Sequence, residues 1–351
     1  MRTMEDIASY LREYDGRTLK LMEVCGSHTA AISKFGIRGM LSPKIRLVSG
    51  PGCPVCVTPS AYIDRLLELA KEKDTCVVTF GDMLRVPGSR GSLSAARGEG
   101  ASVEMVYSPL DTLKLAAENP GITYVFAAVG FETTAPVYTL LLEEAIRGGF
   151  TNIRLLTALK TMPQAIRNLM QEGGEIDGFL APGHVCAVIG SDAFLPLAKE
   201  FQIPFAVSGF GDRELLLAIY GLVRMAKERE AAVKNFYPSV VTPQGNLIAK
   251  KKLETYFMPC DAVWRGMGNI PLSGLLLKDA YKRYDAGSAS LIEDKKLNHG
   301  CRCDKILTGK LMPQECPLFG RSCTPGSPQG ACMVSYEGSC YQNYLSDGGN
   351  A

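Results

Sequence analysis

Residues 123–149, TYVFAAVGFETTAPVYTLLLEEAIRGG, decide the fold. The run TYVFAAV (123–129) stops at Gly130-Phe131-Glu132-Thr133-Thr134, and Thr134-Ala135-Pro136 opens an amphipathic helix that Gly148-Gly149 closes. A cap residue followed by proline suits a first helical turn, because the amide that proline lacks would have no intrahelical acceptor there. The same order of strand, glycine-rich turn and helix recurs along the chain. TLKLME (18–23) leads into Cys-Gly-Ser-His, KIRLVS (44–49) into Gly-Pro-Gly-Cys, and TCVVTF (75–80) into Gly81-Asp82. DGFLA (177–181) leads into Pro-Gly-His, and IPFAV (203–207) into Ser-Gly-Phe-Gly-Asp. Thr58-Pro59 opens a helix to about Lys73, and Ser108-Pro109 opens another with Asp111 near its third position. Such repetition predicts parallel sheets of the doubly wound type, with chemistry collected beyond the carboxyl ends of the strands. The unusual residues of the chain sit at those ends.

With 351 residues, two or three domains are expected. The expected class is α/β: a helix in 1–14, two Rossmann-like doubly wound units at 15–115 and 116–235, and a cysteine-rich domain in 236–351. A net charge of +2 without a run of Lys or Arg gives no basis for a nucleic-acid partner. No stretch is apolar over the roughly eighteen residues that a membrane crossing needs. The N-terminus, MRTMEDIASYLREYDGR, lacks the apolar centre of a signal peptide, so a cytoplasmic location is expected. In a reducing compartment, twelve cysteines argue for metal binding and redox chemistry rather than for structural disulfides.

Several short motifs carry that chemistry. Cys25-Gly26-Ser27-His28 follows a strand directly, and its thiol could hold a soft metal or act as a nucleophile; the plain alternative is a packed cysteine beside a surface histidine. Gly50-Pro51-Gly52-Cys53-Pro54-Val55-Cys56 places two thiols just before a helix N-terminus, where the dipole favours thiolate. That pair suits a reversible disulfide or half of a metal site, and no second pair completes a zinc site. Glu132 and Thr133 stand at a strand-to-helix turn that could hold an anion or orient a partner of Cys25, with a helix-capping role for Thr133 or Thr134. The chain has three histidines. His184, in Pro182-Gly183-His184-Val185, lies at another strand end, and His299 lies beside Cys301. Ser208-Gly209-Phe210-Gly211-Asp212 reads as a tight turn with a cap, and Cys76, Cys186 and Cys260 read as packing residues.

Six cysteines fall in the last fifty-one residues: Cys301, Cys303, Cys316, Cys323, Cys332 and Cys340. Intervals of one, twelve, six, eight and seven residues follow no helical face. They suit a loop that supplies thiolates from several directions, as a 4Fe-4S cluster requires. Cys316, Cys323, Cys332 and Cys340 are the expected ligands, with Cys301 and Cys303 a neighbouring thiol pair or a spare ligand; a structural zinc is the alternative.

Taken in order, Glu23-Val-Cys-Gly-Ser-His-Thr29, the Gly50–Cys56 motif, Gly130-Phe-Glu-Thr-Thr-Ala-Pro136, Pro182-Gly-His-Val185 and Cys316 through Cys340 resemble the HypD family of NiFe-hydrogenase maturation factors. The likeness runs from about residue 20 to 344. One departure is Ser27, where the family more often carries Thr, and both supply a hydroxyl. The resemblance implies a scaffold rather than a turnover enzyme. Such proteins pair with a small partner, HypC, and hold an iron that gains two cyanides and one carbon monoxide. The cyanide arrives from HypE as a thiocyanate, and the Fe(CN)2CO unit passes to the hydrogenase large subunit. Carried over, Cys25 would ligate that iron with His28 as a helper, and Cys53 and Cys56 would be a redox pair. Glu132, Thr133 and His184 would line the cleft, and a 4Fe-4S cluster would exchange electrons through thiols. A competing reading is an iron–sulfur thiol oxidoreductase that reduces a partner disulfide and gives Cys25 no iron.

Overall fold

The computed structural model describes residues 3–291 and 298–347; residues 292–297 and the outer ends of the expected 1–14 and 236–351 segments lie outside them. Among the described residues the strands are β1 (Leu19–Glu23), β2 (Ile45–Ser49), β3 (Thr75–Thr79), β4 (Val103–Met105), β5 (Thr123–Gly130) and β6 (Ile153–Lys160). They continue with β7 (Gly178–Pro182), β8 (Phe205–Ser208), β9 (Val233–Asn235), β10 (Phe257–Trp264) and β11 (Gly268–Leu277). The six strands read from sequence are therefore present within two residues of their expected bounds. Near-continuous burial along β5 and β7 explains their apolar composition, since helices cover both faces of a parallel sheet.

Two sheets form. One has the order β2-β1-β7-β8-β9 and is parallel throughout. The other has the order β10-β11-β6-β5-β3-β4; β6, β5, β3 and β4 run parallel, and the β10–β11 hairpin joins antiparallel at β6. Sheet membership does not follow the consecutive division at 115/116. The first sheet takes strands from both ends of the α/β region, and the second takes the strands between them plus residues 257–277. Burial explains this arrangement: β7 offers two apolar faces and pairs with β1 through Leu21, Met22 and Glu23.

Both sheets reverse strand order at one place. The chain moves from β1 to β2 on one side and from β7 to β8 on the other, so β1 and β7 flank a switch point. In the second sheet, β3 and β5 flank the equivalent point. Cys25 and His184 follow the two strands of the first point, and Glu132 follows one strand of the second. These are the places where open α/β sheets bind ligands.

Helices meet their expected caps with small shifts. Met4–Arg12 carries a capping box between Thr3 and Asp6. Ala135–Arg147 follows Thr134 and stops at Gly148, but the Thr134 hydroxyl makes no capping hydrogen bond. Asp111 opens its helix rather than lying in its third position, and its carboxylate accepts from the Ser108 amide at 2.9 Å.

The largest apolar core joins Met22, Phe179 and Phe205 of the first sheet to Val77, Val125 and Leu156 of the second, then continues into the cysteine-rich tail. Phe205 stacks on Phe179 with ring centroids 5.2 Å apart and packs against Phe194 at 5.5 Å. Phe205→Ala is expected to destabilise the protein by about 3–5 kcal/mol, read from chemical denaturation. A loss below about 1 kcal/mol would contradict this packing.

Candidate functional site

Cys25 caps the helix Gly26–Lys34 directly after β1, and the loop that carries Cys53 lies on its backbone. The Gly26 amide donates to the Gly52 carbonyl at 2.9 Å, and the Gly50 amide donates to the Glu23 carbonyl at 2.7 Å. A Cβ on Gly52 would lie 2.2 Å from the Cys25 nitrogen, so only glycine permits this approach. Cys53 and Cys56 are joined as a disulfide, with Cα atoms 5.3 Å apart. Cys25 is 7% exposed, Cys53 3% and Cys56 0%. Three sulfurs thus lie in one interior region, at the ends of neighbouring strands.

The cysteine-rich tail closes over this region. Ser27 donates its hydroxyl hydrogen to the Glu337 carboxylate at 2.6 Å, and a Cβ on Gly26 would meet the Glu337 Cβ at 2.4 Å. Cys56 Sγ lies 3.9 Å from the Ala331 carbonyl, next to Cys332. Arg85 and Asp82, from the β3 end, bond Val334 and Ser335.

Burial sets the charge states here. Desolvation pushes the Cys25 thiol up to about 12; Glu337 and Glu23 add to the rise, while the His28 and Ser27 amides oppose it. Burial raises the Glu23 carboxyl to about 7 despite bonds from Ser49, Thr29 and the Cys25 amide and the charge of Arg38. His28 is fully buried, contrary to the surface position considered above, and desolvation lowers it to about 4.

Glu132 is 3% exposed; one oxygen accepts from the Met162 amide at 2.8 Å, and Oε2 has no partner. Desolvation raises it to about 7. Thr133 is half-buried beside it, and His184 is exposed at the rim. Cys186 is buried as expected, and its thiol is raised by burial first and then by the nearby Glu132 and Cys25. Phe210 was not anticipated as part of the site. Its ring packs against both His28, at 4.8 Å, and His184, at 3.9 Å. An aromatic residue in a glycine-rich turn at a strand end was the available signal.

All six tail cysteines line one enclosed space with Ile306, Leu318, Phe319 and Met333. Cys301 and Cys303 are therefore not set apart from the expected four, and Cys303 Sγ stands 2.7 Å from Cys332 Sγ. His299 is exposed and does not line this space. Among the described residues no three His, Cys, Asp or Glu side chains converge on the position of a single metal ion. The thiols instead surround a shared volume with apolar walls. That donor set fits a 4Fe-4S cluster, which takes several soft sulfur ligands around a polynuclear core.

The raised Glu132 carboxyl makes stability pH-dependent. Between the usual carboxylate value of 4.5 and about 7 the native state keeps a proton that the unfolded chain has lost. Stability therefore falls as pH rises through that window and levels off above it. Glu23 contributes with the same sign. Glu132→Gln is expected to flatten the slope by up to about 3 kcal/mol over the window, measured by denaturation at several pH values. An unchanged slope would refute the burial of a neutral Glu132.

The HypD model, described as "Hydrogenase formation hypA family", matches residues 1–346. A hydrogenase maturation factor HypD from Azotobacter vinelandii is 42% identical over 338 residues, covering 92% of this chain and 88% of its own. Its counterpart from Escherichia coli (strain K12) is 41% identical over 345 residues, covering 96% and 91%. One from Rhodobacter capsulatus is 39% identical over 335 residues, covering 92% and 88%. With the motif-bearing loops gathered at the strand ends and a match over nearly its full length, the chain belongs to the HypD family of hydrogenase maturation factors.

Proposed function

We propose that this chain is the platform on which an iron acquires two cyanides and one carbon monoxide before transfer to the large subunit of a NiFe hydrogenase. The observation that carries the reading is the direct contact between the Cys25 backbone and the Cys53–Cys56 loop, with Glu337 and Ala331 of the tail closing on both. Cys25 ligates the cargo iron, and a cysteine of a small HypC-like partner supplies a second thiolate. The Cys25 sulfur lies over the first turn of its helix, where the Ser27 and His28 amides face it. Positive helix-end charge favours thiolate once the iron cation has displaced the proton.

Cyanide arrives as a thiocyanate on a HypE-like donor. Releasing it takes two electrons: the sulfur–carbon bond breaks, the donor regains a thiolate, and cyanide leaves as an anion. Cys53 and Cys56 supply both electrons by passing from dithiol to disulfide, with loss of two protons. Glu132, Thr133 and His184 line the approach. Cys316, Cys323, Cys332 and Cys340 hold a 4Fe-4S cluster, which supplies one-electron chemistry when bound. Cytoplasmic chemistry suits these thiols. No described helix is long and apolar enough to cross a membrane.

A thiol oxidoreductase would use the same dithiol but would bind no diatomic-bearing iron at Cys25. Infrared bands of metal-bound cyanide and carbon monoxide, recorded on the chain co-purified with its small partner, separate the two readings. Cys53→Ala and Cys56→Ala are expected to keep visible cluster absorption and to lose those bands. Cys25→Ala is expected to lose the iron that carries them. Normal bands in both Cys53 and Cys56 variants would refute the role given to the dithiol.

A further inference from the structure

We infer that Phe210 is a positioning residue that holds His28 in a single tautomer, with hydrogen on Nε2 and a bare lone pair on Nδ1. His28 Nε2 lies 3.1 Å from the Gly209 carbonyl and 3.3 Å from the Ser208 carbonyl. Carbonyl oxygens only accept, so Nε2 must donate, and a neutral imidazole has one hydrogen to give. Nδ1 is then an acceptor, and it is buried without a partner. Burial keeps the ring neutral, because desolvation lowers its basicity far more than the two carbonyls raise it.

Phe210 stops the ring from turning. Its ring packs against His28 at a centroid distance of 4.8 Å and an angle of 35°, and against His184 at 3.9 Å and 26°. Tyr237 abuts it at 6.4 Å and 90°. Glu214 pins the loop: its carboxylate accepts from the Phe210 amide at 2.9 Å and the Gly211 amide at 3.1 Å. The opposite tautomer would set a nitrogen lone pair against two carbonyl oxygens. An unpaired buried acceptor is costly, and His28 stands one helical turn from Cys25. The significance of that lone pair rests on the reading of Cys25 as the iron-binding residue, but the tautomer itself does not.

The chain has three histidines, so nitrogen-15 NMR of the imidazoles in the full-length protein is tractable, with His28→Gln providing the assignment. The expected result is a protonated Nε2 and an unprotonated Nδ1 for His28, unchanged from about pH 6 to 8, where a free histidine titrates. Phe210→Leu should give averaged signals from two exchanging tautomers, and Phe210→Tyr, which keeps the stack, should restore the native pattern. Glu214→Gln should loosen the same loop and average the signals if Phe210→Leu does not fold. A native Nδ1–H form, or a single tautomer in folded Phe210→Leu, overturns the inference. Absence of cyanide-bearing iron alongside a locked His28 would count against the platform reading alone.

Discussion

The desolvation of Cys25 constrains the rest of the site. A thiol at a strand end, packed under Gly52 and Glu337, has lost the water that would stabilise its anion, and two acidic neighbours oppose ionisation further. Burial therefore makes this sulfur a weak nucleophile as the free thiol, because the thiolate is the reactive form. A more exposed Cys25 would ionise more easily. The polar groups around it obey the same electrostatics. Glu23 gives its oxygens to Thr29 and the Cys25 amide, and Arg38 lies behind it.

Such burial requires several chain segments, because one loop cannot surround a side chain on all sides. The interleaved sheets provide them. Pairing of β1 with β7 sets Cys25 and His184 at adjacent strand ends, and the apolar core shared by both sheets carries Glu132 and Cys186 toward the same interior. The tail then acts as a cover. Its Glu337 bonds Ser27, while its Ala331 carbonyl meets Cys56. One tail segment, 331–337, thus touches both the Cys25 helix and the disulfide.

Much of this was legible because parallel strands buried on both faces are compositionally conspicuous and end in glycine-rich turns. TYVFAAV and DGFLA announce themselves in that way. β6 does not, because Arg154 and Lys160 break the run; Lys160 is nevertheless buried, with its ammonium 2.6 Å from the Val263 carbonyl and over the Trp264 ring. The β10–β11 hairpin was obscured by Pro259 and Pro271, residues that argue against strands unless the strand lies near an edge. Sheet membership was illegible for a different reason. Strand order depends on which apolar faces meet, and local sequence does not encode that choice. Among site residues, cysteines and histidines advertised their chemistry, whereas Phe210 acts through shape alone.

Burial moves the ionisable groups of the cleft toward their uncharged forms. Glu23 and Glu132 are raised to about 7, His28 is lowered to about 4, and Cys25 is pushed to about 12. Each shift has desolvation as its largest cause, so the four groups share one physical origin. Desolvation penalises whichever form carries charge, so it raises the acids and the thiol and lowers the imidazole together. A single hydrogen bond or counter-charge would move only its own partner. Opening the cleft to water would instead return all four groups toward their ordinary values.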